Sequence, residues 1–110
     1  MTHFGGIADE AEEGRLIADA FGNHQVLMMA NHGISIIGET VAEAFEAMNF
    51  FEKAAKTQML AYASGQPLNI MSDAVAEKTA ESWNDYAGAA VAHFNHLKRG
   101  LDKTDPSYRH

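Results

Sequence analysis

Two short apolar runs on either side of a four-residue turn constrain this chain more than any other feature. Residues 25–29 (Gln-Val-Leu-Met-Met) and 34–37 (Ile-Ser-Ile-Ile) are rich in side chains that favour strands. The residues between them are Ala-Asn-His-Gly, and both Asn and Gly tolerate a positive φ. The sequence therefore predicts a β-hairpin. Because neither run alternates cleanly between apolar and polar residues, we expect both strands to be buried on two faces.

A long helix is predicted directly after the hairpin. Thr40 and Glu43 have the spacing of a capping box, in which each side chain bonds a backbone N–H of the first turn. Apolar residues then recur at spacings of four and three from Val41 to Tyr62, and residues 64–67 (Ser-Gly-Gln-Pro) are typical of a helix end. The pattern predicts a helix of about six turns.

Two more helices flank this part of the chain. Residues 9–21 read as a short helix that Asp9 can cap, and a second long helix is expected to start at Ser72 or Asp73. Its apolar seam consists largely of alanine, with Trp83 and Phe94, so we expect it to pack antiparallel against the preceding helix. Its predicted end is marked by Gly100 and Asp105-Pro106.

The domain expectation is one partial α/β domain over residues 1–110, with residues 102–110 as a polar tail. It contains a helix, a β-hairpin and two long helices. A hairpin is marginally stable alone, so we expect further strands beside it. Those strands would come from a missing N-terminal part of the domain or from another copy of the chain.

Composition excludes several classes of function. The chain has 15 acidic and 8 basic residues, a net charge of -7, whereas nucleic-acid binding requires a clustered basic face. There is no cysteine, which excludes disulfides and thiolate metal sites. No export signal is seen, and no apolar run reaches the length of about 20 residues that a bilayer requires. We therefore expect a cytoplasmic protein without nucleic-acid or membrane partners.

The segment from Val26 to Phe45 resembles the class II aldolase/adducin family. There, an apolar strand, an Asn-His-Gly turn, a second strand ending in Gly and a capped helix with Glu-Ala-Phe follow in this order. The match continues through residues 51–55 and Gln58, residues 5–12 and 101–108 are also similar, and the resemblance is weakest over residues 68–100. The resemblance implies a three-layer α/β/α domain, frequent oligomers, and a divalent metal, usually zinc, that polarises a small sugar or hydroxy-acid carbonyl substrate. Adducins keep this fold without catalysis.

One metal ligand is implied by this resemblance, His32 in the Asn-His-Gly turn. Family members take two further ligands from a His-x-His and an acid/base carboxylate from an upstream segment, and this sequence contains no His-x-His. A catalytic zinc needs three protein ligands and an open position, so we assign no catalytic residue and expect the isolated chain to be inert. Two interpretations stay open: a metal-dependent lyase in intact form, or a non-catalytic adducin-like module for oligomerisation or interaction.

Other polar residues have structural explanations that we prefer. His93 and His96 could chelate a metal through one helix face, but His93 lies beside the apolar seam, which favours a place at the core edge. Glu52 interrupts the seam of the first long helix, where we expect a buried structural carboxylate with a partner. The acidic residues at helix starts suit the helix dipole, and the methionines at strand and seam positions are expected to fill the core: Glu10, Glu12, Glu13, Glu43, Met28, Met29, Met48 and Met59.

The first prediction is that the chain does not exist as a stable monomer. Apolar strands with open edges and a long helix seam leave surface that a partner must cover. Sedimentation velocity at micromolar concentration should therefore show oligomers or aggregates. A cooperatively folded monomer of 12.0 kDa would contradict the prediction and would mean that these residues form a self-sufficient core.

Overall fold

The computed structural model describes residues 11–109, which divide into two units at Glu39 and Thr40. The predicted cap at Asp9 lies outside the described residues. The first unit contains a helix and a hairpin: α1 (Ala11–Phe21), β1 (Val26–Met29) and β2 (Gly33–Ile36). The second contains three helices and a final 3-10 turn: α2 (Val41–Ala63), α3 (Asp73–Asn84), α4 (Ala87–Thr104) and Pro106–Arg109. This helix-rich α/β arrangement agrees with the predicted fold class.

The predicted hairpin is confirmed. β1 and β2 pair antiparallel with Val26 opposite Ile36 and Met29 opposite Gly33. Burial of both strands on two faces was the wrong expectation for the described residues. Successive strand residues point to opposite faces, and Leu27 is buried while Met28 is 65% exposed. One face of the hairpin therefore carries the buried Leu27, and the face that carries Met28 is only partly covered.

The core of the first unit lies where α1 meets β1. Phe21 at the end of α1 and Leu27 in β1 are both buried. Gly22 ends the helix with a φ of 53°, a left-handed conformation that glycine adopts at little cost. His24 then donates its backbone N–H to the Phe21 carbonyl at 2.9 Å, which completes the turn into β1.

The capping box at the start of α2 is also confirmed. Thr40 Oγ1 accepts the Glu43 backbone N–H at 3.1 Å, and the Thr40 backbone N–H donates to Glu43 Oε2 at 3.1 Å. The helix ends at Ala63, followed by Gly65 with a φ of 68°. Local sequence signals therefore set both ends of this helix.

The second long helix was wrongly predicted to be continuous. The structure interrupts it at Asp85 and Tyr86, whose backbone N–H groups bond Ser82 and Trp83, three residues back, at 3.1 Å each. Asn84 and Asp85 have polar side chains that compete with helical hydrogen bonding, which favours a break at this point. The predicted end at Asp105-Pro106 is confirmed, because α4 continues to Thr104 and Asp105 caps it, whereas Gly100 does not end the helix.

Ring contacts show that the helix pairing is antiparallel, as predicted. Phe45 packs against Phe94 with ring centroids 5.8 Å apart, and Phe50 packs edge-on against Trp83 at 4.9 Å. Phe50 follows Phe45 along α2, whereas its partner Trp83 precedes Phe94. The paired segments therefore run in opposite directions. Ala90 is buried in α4, whereas every residue of α3 is exposed. The core of this unit therefore lies between α2 and α4.

Some expected core residues lie at the surface. Met28 and Met59 are 65% and 66% exposed, so they do not fill a core in these units. Met29 and Met48 are partly buried. A recurring apolar spacing marks one helix face, but packing decides whether that face has a neighbour.

The predicted polar tail includes the last turn of α4 and a 3-10 turn that folds back onto it. The Tyr108 hydroxyl donates a hydrogen bond to the Asp102 carboxylate, and Arg109 Nε lies 3.4 Å from Asp102 Oδ1. The bond to Asp102 raises the pKa of Tyr108, because it favours the protonated phenol. The stabilisation by this bond is therefore present below the ordinary tyrosine pKa and is lost as pH rises through the raised value.

No helix in the described part of the chain is long and apolar enough to cross a bilayer.

The capping box gives the second prediction. Thr40→Ala removes an acceptor for an otherwise unpaired N–H, so it should lower the free energy of unfolding by about 0.5–2 kcal/mol. Thr57→Ala, in the middle of the same helix, is the control. Its hydroxyl only bonds back to the Lys53 carbonyl at 2.9 Å, and alanine is the better helix former. Urea denaturation followed by circular dichroism measures both; equal losses would contradict a specific role for the cap.

Candidate functional site

His32 occupies the third position of the hairpin turn and is exposed. The turn is tight: the His32 backbone N–H donates to the Met29 carbonyl at 3.2 Å. Its neighbours adopt positive φ angles, 61° at Asn31 and 138° at Gly33. Asn tolerates the first of these angles, and the second suits glycine, so the Asn-His-Gly sequence matches the backbone that presents the imidazole.

The described residues do not supply a complete metal centre around His32. Within residues 11–109, no group of three His, Asp or Glu side chains is placed to hold a metal ion. A catalytic zinc takes three protein ligands and keeps one position open. Around His32 the described residues therefore fit a metal only as the source of one ligand, and we derive no reaction step from them.

Apart from His32, a pair of polar side chains lies between α2 and α4. His93 Nδ1 is 2.5 Å from Glu46 Oε2, with the Glu46 side chain 13% exposed and that of His93 37% exposed. The Phe45 ring lies beside the His93 ring, with centroids 6.2 Å apart and planes tilted by 55°. His93 thus lies at the edge of the helix packing, the place that we preferred for it from sequence.

Glu46 was missed at the sequence level although a signal existed. It lies four residues after Ala42 and four before Phe50, in a row that faces other parts of the protein. We selected Glu52 instead, and the expectation that Glu52 is buried was wrong, because it is exposed. His96 is also exposed, one turn after His93.

A family model described as "Class II Aldolase and Adducin N-terminal domain" matches residues 3–59. That is just over half of the 110-residue chain, and it includes the hairpin, the turn with His32 and most of α2. The chain belongs to the class II aldolase and adducin family.

Three curated proteins illustrate the range of its relatives. The chain is 39% identical over 59 residues to "Protein hu-li tai shao" of Drosophila melanogaster, which covers 53% of this chain and 5% of that protein. It is 30% identical over 90 residues to "Decarboxylase NovR" of Streptomyces niveus, covering 76% of this chain and 33% of that protein. It is 38% identical over 61 residues to a "Putative aldolase class 2 protein" of Caulobacter vibrioides, covering 56% and 24%.

The chain therefore spans between 5% and 33% of the length of these curated relatives. No solved structure matches it significantly.

The Glu46–His93 pair gives the third prediction. Glu46→Ala leaves the partly buried His93 nitrogen without its acceptor, so it should destabilise the chain by about 1–3 kcal/mol. Glu52→Ala makes the same change at an exposed site of the same helix and should stay within about 0.5 kcal/mol. Urea denaturation of both variants, with His93→Ala and the Glu46→Ala/His93→Ala double variant, gives the coupling energy. If the losses in unfolding free energy of the two single variants add up to the loss of the double variant, the pair contributes no specific stabilisation.

Proposed function

We propose that this chain supplies one imidazole ligand, His32, to a divalent metal centre in a lyase that acts on a small sugar or hydroxy-acid carbonyl compound. The observation that carries the proposal is an exposed histidine on an Asn-His-Gly turn, within the segment that the family model matches. The remaining ligands and the acid/base carboxylate would come from protein outside these 110 residues. Zinc is our choice of metal because it favours imidazole ligands.

The names of two relatives support the reaction class. One is a decarboxylase and another a putative class 2 aldolase. Decarboxylation and aldol cleavage both break a carbon–carbon bond and leave an electron pair on carbon, next to a carbonyl that can accept it. A bound metal supplies positive charge to such a developing enolate. The role of His32 in the complete protein would be to hold that ion through a ring nitrogen.

A non-catalytic module is the alternative, and the surface of the second unit favours it. All of α3 is exposed, and several large apolar side chains lie at the surface between the end of α2 and the start of α3. They include Met59, Leu60, Ile70, Met71 and Val75. A partner would bury this surface, whether the remaining part of the domain or a second copy of the chain. In this interpretation His32 has no metal.

Zinc titration of the chain tests the role of His32 and gives the fourth prediction. A single imidazole is a poor site, so calorimetry should show Zn²⁺ binding weaker than micromolar. The contrary result is submicromolar one-to-one binding that is abolished in His32→Gln and preserved in His24→Gln. It would contradict the expectation that this chain supplies only one ligand to the metal. His24 is a matched control because it is an exposed histidine in the same unit.

A polypeptide in which a segment with a His-x-His and a glutamate precedes these residues would separate the two candidate functions. If the proposal holds, that polypeptide binds one zinc per subunit and cleaves a hydroxy-carbonyl substrate, and His32→Gln removes both properties while His24→Gln keeps them. Unchanged zinc content in His32→Gln would exclude His32 as a ligand. A stable oligomer that contains no zinc and shows no lyase activity would favour the non-catalytic module.

A further inference from the structure

His93 and His96 are two histidines of α4, in a different unit from His32. They are three residues apart on α4, so their β-carbons lie about 5–6 Å from each other on one side of the helix. His96 is exposed, and more than a third of the His93 side chain is open to solvent. Both residues therefore lie on one side of the helix, and both are open to solvent.

Glu46 determines which nitrogen of His93 is available. A carboxylate only accepts hydrogen bonds, so at 2.5 Å from Glu46 Oε2 the His93 Nδ1 carries the proton. The neutral ring then has its lone pair on Nε2, on the far side of the ring from Glu46. Histidines that bind metals in proteins usually donate their other ring N–H to a carboxylate or carbonyl in this way.

The His93 ring is also held in place before any ion binds. The Phe45 ring lies beside it, with centroids 6.2 Å apart, and Phe45 itself packs on Phe94, so both Phe45 and Glu46 of α2 contact the imidazole. Rotation of the imidazole would break the Glu46 bond. An ion that binds here therefore loses little free energy in ordering the first ligand.

We propose that His93 Nε2 and a ring nitrogen of His96 form a surface site for a divalent transition metal such as zinc, oriented by Glu46. Two imidazoles are the protein ligands, and water completes the coordination. Imidazole suits zinc better than magnesium or calcium, which require oxygen ligands. The site is independent of the metal centre proposed around His32.

Nuclear magnetic resonance of the histidine rings tests the site in the His32→Gln variant, with Zn²⁺ as the probe. Without zinc, long-range proton–nitrogen spectra should show His93 with the proton on Nδ1. As Zn²⁺ is added, the signals of His93 and His96 should shift together with one common affinity. That affinity should exceed the affinity of His24, which serves in the same sample as a single exposed imidazole.

Two variants separate chelation from a merely structural bond. His96→Gln changes an exposed residue, leaves the Glu46–His93 bond intact, and should reduce zinc binding at His93 to the level of His24. Glu46→Gln should weaken zinc binding about 10- to 100-fold, the usual effect of removing a carboxylate behind a histidine ligand. The proposal is overturned if His96→Gln leaves the affinity at His93 unchanged, if the two rings titrate separately, or if His93 carries its proton on Nε2.

Discussion

The contact of α2 with α4 is the interaction on which the second unit depends. Near the start of α2, Phe45 and Glu46 meet Phe94 and His93, so one apolar and one polar contact lie side by side. The aromatic pair removes apolar surface from water, and the Glu46–His93 bond satisfies a carboxylate that packing has largely desolvated. The polar pair thus joins α2 and α4 at one point beside their aromatic contact.

Local signals explain the parts of the fold that the sequence predicted well. The hairpin follows from an Asn-His-Gly turn, and the start of α2 follows from a capping box, both of which act within four residues. The break between α3 and α4 was missed because the apolar spacing continues across it. Periodicity reports which face is apolar, whereas Asp85 and Tyr86 decide whether the backbone stays helical.

The candidate site residues also divide into those that a local sequence signal identifies and those that depend on helix packing. His32 was selected from its turn, and the structure places it exposed on that turn, which leaves its role as a ligand a proposal. Glu46 was not selected because its partner lies 47 residues away, and such a contact depends on how helices pack. Glu52 was wrongly expected to be buried because it interrupts an apolar seam. The sequence around it does not show whether another part of the protein covers that seam.

The number of available ligands, more than the fold, separates the two candidate functions. The turn that presents His32 does not need a metal to form, because its own backbone geometry supports it. A fold of this kind gains chemistry when a second and third donor reach the same ion. Without those donors the hairpin and helices still leave apolar surface exposed, and a protein partner can bury that surface. On one framework, the difference between the two candidate functions can therefore be a few side chains.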